Sequence, residues 1–153
     1  MPTRTSLDCD DVFEKNLVRE IEGQGWSVVH STDRTLLAYT VGLSARWDHP
    51  ECLVFGLHPE KSQALLRLVC EEVKKGSKFG CAQSYPGLVE EYSCRFQVLS
   101  PQFYREYLGY CRWYYRGDRF QAVQLMWPDL QGNFPDEASF DPHLMAHQPA
   151  LVG

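Results

Sequence analysis

The 153-residue chain is 44% hydrophobic and 23% charged, an ordinary globular composition, and at this length roughly 70% of the unfolded surface leaves water on folding, so a core needs no metal or disulfide staple. Apolar runs such as Cys52 to Leu57 are far shorter than the ~20 residues that span a bilayer, and the opening Met-Pro-Thr-Arg-Thr-Ser has no apolar export segment, so a cytoplasmic protein without a membrane span is expected. The net charge of −5 is uneven: no Lys or Arg follows Arg119 and the last 34 residues carry −4, which argues against that end binding a nucleic-acid backbone.

No internal repeat or low-complexity tract is visible, and one α+β domain over residues 1–153 is expected, with 1–9 flexible and 128–153 an irregular acidic wrap. Within 10–22, Phe13, Leu17 and Ile21 recur every four residues, Asp11 and Glu14 resemble an N-terminal cap, and Gly23 and Gly25 supply a stop, which predicts a helix. Alternation then predicts two strands, with Trp26, Val28 and His30 on one side of the first and Leu37, Tyr39, Val41 and Leu43 on one side of the second. The polar Ser31 to Arg34 stretch joins them as a hairpin. Cys52 to Leu57 reads as a third strand buried on both faces. Pro59 opens a second helix with a Leu65, Leu66, Val69, Val73 stripe, ended by Gly76. Tyr92 to Leu99 is a further strand with Cys94, Phe96 and Val98 facing one way. Ser100-Pro101 begins a third helix to about Tyr115, whose Phe103, Tyr107, Tyr110 and Tyr114 are expected to face the core while Arg105, Arg112 and Arg116 face solvent. Phe120 to Trp127 is a last strand and Asp129 to Gly132 a turn. This order gives α+β, a mainly antiparallel sheet with about three helices against one face.

The chemistry available is modest. His49-Pro50-Glu51 and His58-Pro59-Glu60 bracket the third strand, too far apart to share one metal. Pro59 and Glu60 explain themselves as a helix start; His49 lies in a loop entering a buried strand and is a candidate proton-transfer group. His143 and His147 have an i, i+4 spacing but no Glu between them, so the metalloprotease signature is missing and no metal site is assigned. Nucleophile-elbow, Walker A and dinucleotide-binding glycine motifs are absent. The six cysteines form no C-x-x-C pair and read as reduced thiols. Tyr39, Trp127 and Asp129 suit an aromatic wall with a nearby carboxylate, although Trp127-Pro128-Asp129 also fits strand-end packing followed by a turn.

Gly25-Trp26, Ala38-Tyr39-Thr40-Val41-Gly42-Leu43, His49-Pro50-Glu51, Phe55-Gly56-Leu57, Gln124 to Asp129, Gly132, Phe134-Pro135 and Gln148-Pro149 together form a specific set. On these the chain resembles the bacterial domain-of-unknown-function family 4262 (DUF4262) from about Gly25 to Val152, with Asp136 where Trp is expected after Phe-Pro and Cys52 where Leu is usual. The resemblance implies a bacterial cytosolic single domain with no established reaction, and it draws Tyr39, Thr40, His49, Glu51, Gln124, Trp127 and Asp129 into one candidate set.

Two functions compete. In the first the protein binds a small molecule, as an enzyme or otherwise, with His49 as acid or base oriented by Glu51 or Asp129, with Tyr39, Thr40, Gln124 and Trp127 contacting ligand, and with His49, Glu51, Tyr39 and Asp129 converging on a cleft under the acidic tail; a histidine titrating near pH 6.5 suits proton transfer. A flavin site enters only by analogy with FMN split barrels, so the cofactor stays open. In the second the protein is a non-catalytic adaptor, inhibitor or toxin-neutralising partner that docks its acidic C-terminal lobe on a basic surface. The partner is thus a small molecule or another protein, with self-association open and no membrane role.

Overall fold

The computed structural model describes residues 12–31, 35–79, 84–89 and 92–151. The proposed cap Asp11, the flexible 1–9 segment, the 32–34 turn and Cys9 and Cys81 lie outside them. In chain order the elements are α1 (Val12–Gln24), β1 (Ser27–His30), β2 (Ala38–Val41), α2 (Leu43–Trp47), β3 (Glu51–Val54), α3 (Pro59–Lys74), β4 (Ser84–Val89), β5 (Tyr92–Val98), α4 (Tyr104–Tyr107), α5 (Gly109–Tyr115) and β6 (Ala122–Met126), with short 3-10 turns at Pro101–Phe103 and Pro142–Leu144. The fold is α+β. Among the described residues its sheet has six strands in the order β1-β2-β3-β6-β5-β4, antiparallel except for the parallel pair β3–β6, where Glu51 lies opposite Ala122 and Leu53 opposite Gln124.

Helices cover both faces of this sheet, not one. Leu37, Tyr39, Val41, Leu53 and Phe55 pack with Leu17 and Ile21 of α1 and with Tyr104, Leu108 and Cys111 of the α4–α5 region. On the other face Ala38, Cys52, Val54, Phe96, Val123 and Leu125 meet Leu65, Leu66, Val69 and Val73 of α3. The reason is visible in β2, β3 and β6, every residue of which is buried: strands apolar on both sides need a cover on both.

Among the described residues five α-helical segments stand where about three were expected, for two local reasons. Gly42 takes φ +118 at the end of β2, where a Cβ would lie 2.5 Å from the Gly25 carbonyl oxygen. That left-handed turn, natural only to glycine, ends the strand and opens α2, so Leu43 leaves the Tyr39 face and joins the opposite core. The second reason is Leu108, whose φ −115 and ψ 47 split the expected third helix into α4 and α5. Its phase also differs from the expectation: Tyr104, Leu108, Cys111 and Tyr115 are buried, while Phe103, Tyr107, Tyr110 and Tyr114 are only partly so. Spacings of four, three and four make the buried set the true inward stripe. Arg105 and Arg116 are exposed and Arg112 is partly so.

Candidate functional site

At the N-terminal end of β3, Glu51 has no exposure. Its Oε1 accepts from Thr40 Oγ1 at 2.8 Å and from the Leu43 N–H at 3.3 Å. Oε2 accepts from the N–H groups of Gly42 and Ser44, both at 3.1 Å, and from the Tyr115 hydroxyl. An α-helix begins with N–H groups that have no partner of their own, and Glu51 supplies acceptors for the first turn of α2 from a neighbouring strand. Burial pushes its pKa above the ordinary carboxylate value, against the pull of hydrogen bonds from Tyr115, Ser44, Thr40 and Gly42. Thr40 Oγ1 also accepts from the Cys52 N–H at 2.9 Å, and the Tyr115 oxygen from the Ala45 N–H at 3.2 Å. Tyr39 does comparable work nearby: its buried hydroxyl accepts the Tyr110 N–H at 3.0 Å, in the first turn of α5.

His49 is 4% exposed. Its Nδ1–H donates to the Pro50 carbonyl at 2.8 Å and Nε2 accepts the Phe79 N–H at 3.3 Å, an arrangement that only the neutral ring can satisfy. Burial lowers its pKa, and the charge of Lys78 lowers it further against the effect of the Pro50 hydrogen bond. His49 is one of the residues lining a polar chamber of about 510 Å³, with Ser44, Asp48, Pro50, Asp118, Arg119, Phe120 and Gln121. Beside it lies an apolar chamber of about 360 Å³, lined by Phe79, Val98, Leu99, Pro101 and Tyr104 among others. Pro50, Phe120 and Gln121 belong to both chambers. Phe120 stacks on Tyr104 at 4.6 Å and on Tyr115 at 5.2 Å, so two aromatic rings hold it in place, and one of them, Tyr115, also bonds Glu51.

Gln124, Trp127 and Asp129 lie toward the other end of the parallel pair. Trp127 follows Ala122 by five residues, which at a strand's rise is about 17 Å. Gln124 is fully buried; its amide donates to the Pro149 carbonyl at 2.6 Å and accepts the Leu151 N–H at 2.8 Å. Gln148, also fully buried, accepts the Trp127 N–H and donates to the Trp127 carbonyl, both at 2.8 Å. The indole N–H of Trp127 reaches the Phe55 carbonyl at 2.8 Å. A Cβ on Gly56, at φ +82, would lie 2.7 Å from the His147 carbonyl oxygen and 2.9 Å from the Trp127 ring, so the tail can approach only because that residue is glycine. A third cavity of about 500 Å³ opens here, lined by Leu57, Lys61, Trp127, Pro128, Asp129, Leu130 and Gly132.

The carboxylates of the C-terminal segment hold irregular chain in place. Asp129 accepts from the N–H groups of Gln131, Asn133 and Asp141 at 2.8 to 3.0 Å. Burial acts to raise its pKa, but these bonds outweigh it and the pKa lies below the usual value. Glu137 accepts the Phe134 N–H at 2.6 Å, and Asp141 the His143 N–H at 2.9 Å. Asp136 takes Arg95 and, at 3.0 Å, Gln97 of β5, while the Arg95 guanidinium lies 4.3 Å from the Phe134 ring centre. A carboxylate at this position therefore ties the tail to β5.

The expected convergence of His49, Glu51, Tyr39 and Asp129 is not what the structure shows. His49, Glu51 and Thr40 gather at one end of the β3–β6 pair, whereas Asp129 and Trp127 lie at the other, because β6 runs parallel to β3 and carries its C-terminal residues away from Glu51. The tail covers the Trp127 end, through Gln124 and Gln148. Sequence reasoning missed Ser44, Asp48, Arg119 and Phe120 as lining residues and Tyr115 as a Glu51 donor. Asp48 and Arg119 belong to no motif and come from loops far apart in the chain; Tyr115 was hidden by the broken helix.

Cys52, Cys70, Cys94 and Cys111 are free and buried, and burial raises each thiol pKa, which leaves them protonated and poorly nucleophilic. His143 and His147 are exposed, in a 3-10 turn and the turn after it, so they do not share an α-helical face. Among the described residues no group of three or more His, Cys, Asp or Glu could hold a metal ion, and no helix is long and apolar enough to cross a membrane.

A family model described as a domain of unknown function, DUF4262, matches residues 20–141, and the chain belongs to that family. No curated protein and no solved structure matches it.

Proposed function

We propose that this DUF4262 domain binds a small molecule in the two-chamber cleft at the N-terminal end of β3 and β6. The observation that carries the reading is the junction of a polar chamber of about 510 Å³ with an apolar one of about 360 Å³ across the Pro50, Phe120 and Gln121 wall. Ligand sites characteristically combine apolar walls with a few convergent polar groups, in volumes of about 300–1,000 Å³. His49 also brings a pKa displaced by burial to the wall, a feature concentrated at functional sites.

The support is for binding more than for acid-base catalysis. The lone pair of His49 is occupied by the Phe79 N–H, and Glu51 spends both oxygens on α2, Thr40 and Tyr115. Within this reading His49 shapes the wall, and Glu51 positions α2, which leads into Asp48 and His49. A protein-docking role for the tail has one observation in its favour, Leu130, 99% exposed at the tip of the Asp129 turn. Against it, the carboxylates of Asp129, Glu137 and Asp141 are engaged with backbone N–H groups and Asp136 with Arg95.

A small-molecule fragment screen read by amide chemical shifts tests the choice. Binders that move the amides of His49, Phe79, Leu99 and Ala122 support the cleft. Shifts confined to Leu130 and Gly132, or no binder at all, sink it.

A further inference from the structure

We infer that the cleft takes a small zwitterion bearing an apolar group, the chemistry of an apolar α-amino acid. The inference rests on the small-molecule reading and adds the class of ligand.

The polar chamber is lined by three charged side chains, Asp48, Asp118 and Arg119. Asp118 is taken up by Arg112 at 2.6 Å. Among the described residues, neither the Asp48 carboxylate nor the Arg119 guanidinium has a side-chain partner, and both residues are exposed. Water keeps such charges solvated while the cleft is open, but a ligand that covers them removes that water, and a charge covered without being paired costs free energy. A ligand with only a carboxylate pairs Arg119 and brings like charge toward Asp48; a ligand with only an ammonium does the reverse. A ligand carrying both charges satisfies both residues, with the guanidinium offering a two-pronged hydrogen-bonding face to a carboxylate.

The second chamber specifies the rest of the ligand. Its lining is almost wholly apolar, and Val98 at its edge is left 56% exposed although it lies in the regular strand β5. An apolar group entering across the Phe120 wall covers Val98 and displaces water from Leu99, Pro101 and Tyr104, a gain that scales with the apolar area removed from water. The aromatic stack of Tyr104, Phe120 and Tyr115 keeps that wall fixed, so little ordering accompanies entry.

Calorimetric titration with L-phenylalanine, 3-phenylpropanoate and 2-phenylethylamine separates the parts. L-phenylalanine is expected to bind about tenfold tighter than either analogue, the discrimination that one charge-assisted hydrogen bond supplies. Arg119→Ala should reduce its affinity to that of the amine. Asp48→Asn, an exchange that suits the left-handed backbone at this position (φ 52), should reduce it to that of the carboxylate. Equal affinity for L-phenylalanine and 3-phenylpropanoate, or loss of discrimination through Lys78→Ala in place of Arg119→Ala, overturns the inference. If none of the three probes binds while the fragment screen still finds ligands in the cleft, the zwitterion assignment fails and the small-molecule reading stands; an empty screen removes both.

Discussion

At one end of the β3–β6 pair a carboxyl group with no exposure, Glu51, collects five donors, whereas toward the other end two neutral amides, Gln124 and Gln148, clasp the tail with one donor and one acceptor each. The chemistry follows what each end must hold. The start of α2 presents N–H groups alone, which a carboxylate can accept from several at once. The Trp127 and Pro149–Leu151 segments present both N–H and C=O groups, which an amide can match with its own pair. Both devices fasten chain to the sheet, but only the first buries a titratable group.

Glu51→Ala should therefore have the largest effect on stability, about 4 kcal/mol or more in denaturant titration, since buried donors at Thr40, Tyr115 and the start of α2 lose their acceptor. The pH dependence follows from the raised pKa. The native state holds the Glu51 proton more tightly than the unfolded chain, so this contribution is complete below its ordinary pKa of 4.5 and declines as pH rises through the native pKa. The advantage of wild type over Glu51→Gln should shrink along that rise; an advantage that grows with pH would mean that the donors outweigh burial. His49, with its pKa lowered from 6.5, has the opposite slope. Its contribution is present above that value and lost as pH falls through the native pKa, a slope that His49→Gln should remove.

The next effect concerns α5, which carries Tyr115 to Glu51. Leu108→Ala should cost about 3 kcal/mol, because Leu108 is fully buried in the helix junction, while Tyr107→Ala at a partly buried position should cost about 1 kcal/mol. Reversed values would restore the unbroken helix and its Tyr107 stripe, and would detach Tyr115 from its place beside the carboxyl group.

What local pattern could read, and what it could not, divides along the same line. The β1–β2 pairing, the doubly buried β3 and the α3 stripe were legible because each depends on alternation or helical periodicity within one segment. The break at Leu108 was not: the neighbouring Gly109 is a weak helix former, but a single glycine is tolerated inside many helices and does not by itself fix a kink. Nor was the parallel β3–β6 pairing, a contact between distant segments that alone decides which residues meet. The candidate residues were drawn together by the His-Pro-Glu motif and by the family resemblance, and most of them are buried: Thr40, His49, Glu51, Gln124 and Asp129. Buried polarity does not say whether a group faces a ligand or a backbone. Only the hydrogen-bond partners do, and here they are main-chain groups in most cases.

Gln148→Ala should be milder than Glu51→Ala, about 2 kcal/mol, since it leaves the Trp127 N–H and C=O without their partner but buries no charge. Its cost should not vary with pH between 4 and 8, a range chosen because no carboxyl or imidazole group bonds to it. Limited proteolysis should show faster cleavage after residue 140 in the variant. A strong pH dependence would mean that the tail is held by its acidic residues, and the contrast between the two ends would fail.

Asp129→Ala should have the smallest effect, and one confined to its own turn. Its carboxylate accepts three backbone N–H groups, but the turn keeps two main-chain bonds without it, Gly132 N–H to Asp129 O at 3.0 Å and Asp129 N–H to Asn133 O at 2.8 Å. Local opening can thus become easier with little change in global unfolding. Hydrogen exchange should accelerate at the Gln131, Asn133 and Asp141 amides while those of β3 and β6 keep their protection. Because the native pKa lies below the ordinary 3.8, the contribution of this carboxylate is present above that value and disappears as pH falls through the native pKa. Acidified wild type should therefore approach the variant's exchange pattern in the turn. If Asp129→Ala instead lowers protection throughout β6, the turn and the strand unfold together, and the Trp127 end is as dependent on a carboxylate as the Glu51 end.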